Sequence, residues 1–67
     1  MAASEGPRVP IEEQVEAARR ELKYRERVYP RRVEAGQMTQ RLADTQLRAM
    51  RAIIETLEEV AASQRLI

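Results

Sequence analysis

Tyr29-Pro30-Arg31-Arg32-Val33-Glu34-Ala35-Gly36 lies between two segments whose apolar residues recur at helical spacing. Pro30 biases Tyr29 away from helical angles, so a first helix is predicted to finish around Val28. Pro30 then suits the first position of a single helical turn over 30–35, and Gly36 supplies the left-handed residue that ends it. Val33 is that turn's one large apolar residue and is expected to point inward. The stretch reads as a corner, with Tyr29, Pro30 and Gly36 as its hinge.

Upstream of the corner, Ile11, Val15, Ala18 and Leu22 alternate spacings of four and three, and Arg25 and Tyr29 continue the stripe. This is the signature of an amphipathic helix, predicted over 10–28 with Pro10 in its first turn. Glu12, Glu13 and Glu16 fall early in it and Lys23, Arg25 and Arg27 late, an order that complements the helix dipole. Downstream, Ala43, Leu47, Met50, Ile54, Leu57 and Ala61 repeat at the same spacing without interruption, which predicts a second helix over 40–63. Thr39 is its expected N-cap, and Met38 is placed to staple against Ala43. Ile53 and Val60 widen the stripe beyond what one partner helix covers. The resulting division is a disordered tail over 1–8, a helical hairpin domain over 9–64 and a C-terminal end over 65–67.

Composition narrows the chemistry. The chain of 67 residues has no cysteine and no histidine. Disulfides, thiol nucleophiles and zinc-thiolate sites are therefore excluded, and the usual general base and nitrogen ligand are missing. Without a glycine-rich phosphate loop or a metal-ligand cluster, the expectation is a non-enzymatic protein with no cofactor. Phe and Trp are absent, so the core must come from Leu, Ile, Val, Met and Ala, a palette suited to helices. No run approaches the roughly 18 apolar residues of a membrane span, and the N-terminus lacks the pattern of a signal peptide. A cytoplasmic protein with no membrane partner is expected.

So small a chain ordinarily needs a disulfide, a metal or a partner subunit for stability, and the composition leaves only the last. Charge points the same way. An antiparallel hairpin gathers Glu12, Glu13, Glu16, Glu55, Glu58 and Glu59 at one end and most of the arginines at the other. Two hairpins related by a twofold axis set acidic end against basic end and bury the surplus stripe. The predicted architecture is thus all-α: a two-helix hairpin assembling into a dimeric four-helix bundle. Its core and dimer contacts are expected at Ile11, Val15, Leu22, Tyr29, Val33, Leu47, Met50, Ile53, Ile54, Leu57 and Val60. Opening of the corner would instead give a helix-exchanged (domain-swapped) dimer with the same contacts.

The candidate sites are few. Arg19, Arg20, Lys23, Arg27, Arg31 and Arg32 form a candidate anion-binding surface, which makes nucleic acid an alternative partner. A charge run on a helix is more often a solvated face, and the connection is too long for a helix-turn-helix. Arg25, on the apolar stripe, either pairs with Asp44 across the hairpin or snorkels to water. Tyr24 and Tyr29 fit core positions with wet hydroxyls, against a stacking role on nucleobases.

The residues Arg20-Glu21-Leu22, Arg25, Arg27-Val28-Tyr29-Pro30, Val33, Gly36 and Met38 form one pattern. It continues through Ala43-Asp44, Leu47, Met50, Ala52-Ile53-Ile54 and Thr56-Leu57. The pattern resembles a family of small uncharacterised proteins found in phages, prophages and many proteobacterial genomes. Where that family often carries an aromatic, this chain has Arg32, which makes the local surface more basic. The resemblance implies a small helical accessory protein of prophage origin with no established activity, and assigns no catalytic or binding residue. With the composition and stripe, the expected function is a protein–protein interaction or accessory module of phage type.

Overall fold

The computed structural model describes residues 9–65 and folds them as two helices, α1 (Ile11–Glu34) and α2 (Gln40–Arg65). Arg19 pairs with Glu58 and Glu26 with Arg51, so the helices run antiparallel as a hairpin. The tail assigned to 1–8 and the last two residues of the C-terminal end lie outside the described residues.

The first helix departs from its predicted limits. It does not stop at Val28, and there is no separate turn over 30–35: α1 continues through Pro30 to Glu34. Two features explain the continuation. Tyr29 and Val33 are one turn apart on the buried side, so extending the helix covers both. Pro30 faces water, as does Glu26, whose carbonyl loses its i+4 donor and can be hydrated instead. The hinge assigned to Tyr29 and Pro30 is therefore helix interior. Gly36 alone of the three sits in the connection.

That connection closes by regular capping chemistry. Gly36 has φ 76°, its N–H donates to the Val33 carbonyl (3.0 Å), and the Gln37 N–H donates to the Arg32 carbonyl (2.8 Å). These two bonds constitute a Schellman motif, with Gly36 as the left-handed residue just beyond the helix. At the start of α2 the Leu42 N–H donates to Thr39 Oγ1 at 3.0 Å, so Thr39 caps the helix as the sequence predicts. Pro10 stands immediately before α1, and its carbonyl accepts from the N–H groups of Glu13 and Gln14.

Ala18, Met50 and Ile54 form the centre of the core, with Leu22 and Leu57 packed against them. Val15, Tyr29, Ala43 and Ala61 complete the buried set, while Ile11, Val33 and Leu47 are half-buried. Among the described residues no side chain falls below 2% exposure. Two helices can enclose only a single seam, and burial per residue is correspondingly low.

Candidate functional site

The hairpin has two unlike broad faces. At roughly 100° per residue, Arg51 and Glu58 lie to one side of the buried line of α2, and Arg19 and Glu26 lie to the matching side of α1. Arg19–Glu58 and Glu26–Arg51 (3.0 Å) lace the helices together across that face. All four residues are exposed or half-buried, so each pair stabilises by at most about 1 kcal/mol. Their effect is to make this face polar and well solvated.

The opposite face is apolar. Leu42, Ile53 and Val60 lie on the other side of α2's buried line and are 46%, 49% and 40% exposed. With Gln46, Ala49 and Thr56 between them they form a second four-three repeat, displaced by one residue from the buried one. The surplus at Ile53 and Val60 is visible in the sequence. Leu42 is not singled out there, although the displaced repeat contains the signal. Half-buried Val28 of α1 borders the same face.

Arg25 also sits on this side, and the structure gives it an arrangement that is neither of its two expected readings. Its Nε donates to Glu21 Oε2 at 2.8 Å, one turn back on the same helix, and there is no pair with Asp44. Asp44 Oδ1 instead accepts from Gln40 Nε2 at 2.9 Å. The hydrogen bond that the Arg25 guanidinium donates to the Glu21 carboxylate holds its pKa above the ordinary value, with burial opposing that rise.

The candidate anion-binding residues separate into three groups. Arg19 is engaged with Glu58 on the laced face. Arg32 approaches the ring of buried Tyr29, 6.0 Å from its centroid. Arg20, Lys23, Arg27 and Arg31 remain together on the outer face of α1, turned away from α2. Tyr24 lies among them, 44% exposed, so its expected place in the core is not borne out; Tyr29, 8% exposed, occupies its own. Arg27 stands over the Tyr24 ring at 5.8 Å.

Charge is segregated along the long axis as well. Among the described residues, Arg27, Arg31, Arg32, Arg41 and Arg48 enter no ion pair and lie toward the connection; Lys23, midway along α1, and Arg65, at the open end, also enter none. Glu12, Glu13, Glu55 and Glu59 are likewise unpaired and lie toward the open end, while unpaired Glu34 and Asp44 lie beside the connection, so the segregation is partial. No described helix is long and apolar enough to cross a membrane. The class the fold defines is an all-α helical hairpin with one laced and one open apolar face. No protein family, curated protein or solved structure matches the chain.

Proposed function

We propose that this protein is a non-enzymatic, phage-type accessory module of the cytoplasm that works through protein–protein contacts, with a homodimeric four-helix bundle as its working form. The observation that carries the reading is the exposed row Leu42, Ile53 and Val60, opposite the ion-paired face. Each of these side chains would gain about 1 to 2 kcal/mol on burial, a large sum beside the single seam that holds the hairpin alone.

A second copy is the occupant that best suits the row. Antiparallel packing about a twofold axis brings the unpaired glutamates of one open end beside the unpaired arginines of the other copy's connection. Side-by-side association is favoured over helix exchange, because the Schellman closure and the Thr39 cap hold the connection in its folded-back form. Size-exclusion chromatography with light scattering tests the assembly: a dimer at micromolar concentration is expected, converted to monomer by Ile53→Glu. A wild-type monomer at that concentration would refute it.

A further inference from the structure

We propose that the outer face of α1 is a binding ridge for single-stranded nucleic acid, built from Arg20, Lys23, Tyr24, Arg27 and Arg31. This surface adjoins the apolar face assigned to self-association at Tyr24, one turn before Val28, while its four cations lie on the side away from α2.

Spacing makes the ridge straight. Arg20, Tyr24, Arg27 and Arg31 follow at intervals of four, three and four, so they stack one above another along the helix. They stand diametrically opposite Val15, Ala18 and Tyr29, which are buried against α2. Lys23 flanks the row; Glu21 is turned toward Arg25 and Glu26 toward Arg51. The one carboxylate paired with a member of the row is Glu16, 4.0 Å from the Arg20 guanidinium at its N-terminal end, in an exposed, weak contact that a phosphate can displace. At 1.5 Å per residue the row is about 16 Å long, a length over which a stacked strand carries roughly five phosphates.

The aromatic distinguishes this row from a merely solvated charge run. A buried Tyr29 is accounted for by packing; an exposed Tyr24 is not. Its ring lies within a set of cations, with the Arg27 guanidinium 5.8 Å from its centroid on one approach. A base can stack on such a ring while flanking arginines take the adjacent phosphates, the combination by which single strands are bound with little sequence preference. Four cations predict a definite salt response: log Kobs should fall with log salt at a slope of about −3, from 0.7 per phosphate neutralised on a single strand.

The chain supplies its own reporter. It has no tryptophan and only two tyrosines, so Tyr29→Phe leaves Tyr24 as the sole fluorophore. Titration of that variant with a 20-mer of oligo(dT) and of oligo(rU) at 50 mM salt should quench the emission, and the two arms separate DNA from RNA. Inorganic polyphosphate, which has no bases, should bind without quenching. Arg27→Glu combined with Arg31→Glu should weaken oligonucleotide binding at least tenfold. Arg41→Glu combined with Arg48→Glu, equal in charge but on α2, should weaken it less. Tyr24→Phe should bind as wild type and Tyr24→Ala more weakly. Absence of binding to both oligonucleotides would overturn the proposal. So would equal losses from the α1 and α2 reversals, or binding of poly-glutamate as tight as that of oligo(dT). Helical circular dichroism of each variant separates these outcomes from unfolding.

Discussion

Arg25 donates to Glu21 on its own helix at 2.8 Å and makes no ion pair across the hairpin with Asp44. The distinction matters because a pair across the seam would fix helix register, whereas an i,i+4 pair supports only the helix that contains it. Asp44→Arg should therefore change unfolding free energy by no more than about 0.5 kcal/mol, the ordinary range for a surface change. Glu21→Gln should cost about 0.3 to 0.5 kcal/mol, the worth of such a helical pair. Urea titrations of the two variants give both values. The guanidinium's raised pKa places any loss of its contribution above the unfolded arginine value, as pH rises through the folded one. That window lies beyond the pH range of ordinary handling, so Arg25 should add no pH dependence of its own.

Pro30 occupies the interior of α1, where a proline removes one hydrogen bond and crowds the carbonyl four residues earlier. The intrinsic penalty is about 3 kcal/mol, offset by up to about 1 kcal/mol of lost unfolded-state freedom. Pro30→Ala should consequently raise stability by about 1 to 2 kcal/mol, partly softened because the Glu26 carbonyl faces water. Thermal unfolding at fixed protein concentration checks this. A lower midpoint would contradict the account of an exposed, tolerated proline.

This proline also marks where the sequence was legible and where it was not. Both helices, their stripe residues, the Thr39 cap and the Gly36 terminator follow from local chemistry that acts in the same direction as the fold. At Pro30 two local signals compete. The restriction on Tyr29 is a bias against helix, while Tyr29 and Val33 share a face that only a continuing helix can bury. Tertiary burial prevails, and Gly36 rather than Pro30 ends the helix. The partner of Arg25 was unreadable for a different reason. Glu21 and Asp44 are both plausible by charge, and only the rotation of α1 against α2 decides between them. The same rotation places Tyr24 outside and Tyr29 inside.

Gly36 isolates backbone strain from packing. Its φ is 76°, yet a Cβ built there meets nothing within 4 Å. Gly36→Ala should then cost only the left-handed penalty, about 1 to 2 kcal/mol. Loss of the N-cap by Thr39→Ala should cost about 1 kcal/mol. For a domain of this size each kcal/mol corresponds to about 4 to 8 °C in Tm, which calorimetry resolves easily. Gly36→Asn should cost less than Gly36→Ala, because Asn tolerates the left-handed region better.

A closed hairpin and an exchanged one differ in which chain supplies each half of an ion pair. Arg19 and Glu58 meet across the helices, and the chain has no cysteine to interfere with labelling. In the doubly substituted variant Arg19→Cys, Glu58→Cys, a short bismaleimide should link the two positions within one chain. The product should run as a monomer on a denaturing gel. A covalent dimer as the main product at low protein concentration would show that the helices are exchanged between subunits.

Adjacent isoleucines offer the sharpest separation of folding from assembly. Ile54 is 7% exposed and packs with Ala18 and Met50, whereas Ile53 is 49% exposed and touches the proposed dimer face. Truncating Ile54 to Ala should cost about 2 to 3 kcal/mol, the lower part of the range for buried aliphatics, because so thin a seam can partly collapse. Truncating Ile53 should cost little at the level of the hairpin but weaken association. For the wild type, and for Ile54→Ala once it folds, the thermal midpoint should climb with protein concentration. For Ile53→Ala that climb should flatten. If both substitutions lower the midpoint equally and leave its concentration dependence unchanged, the two residues belong to one core and the exposed row is not an interface.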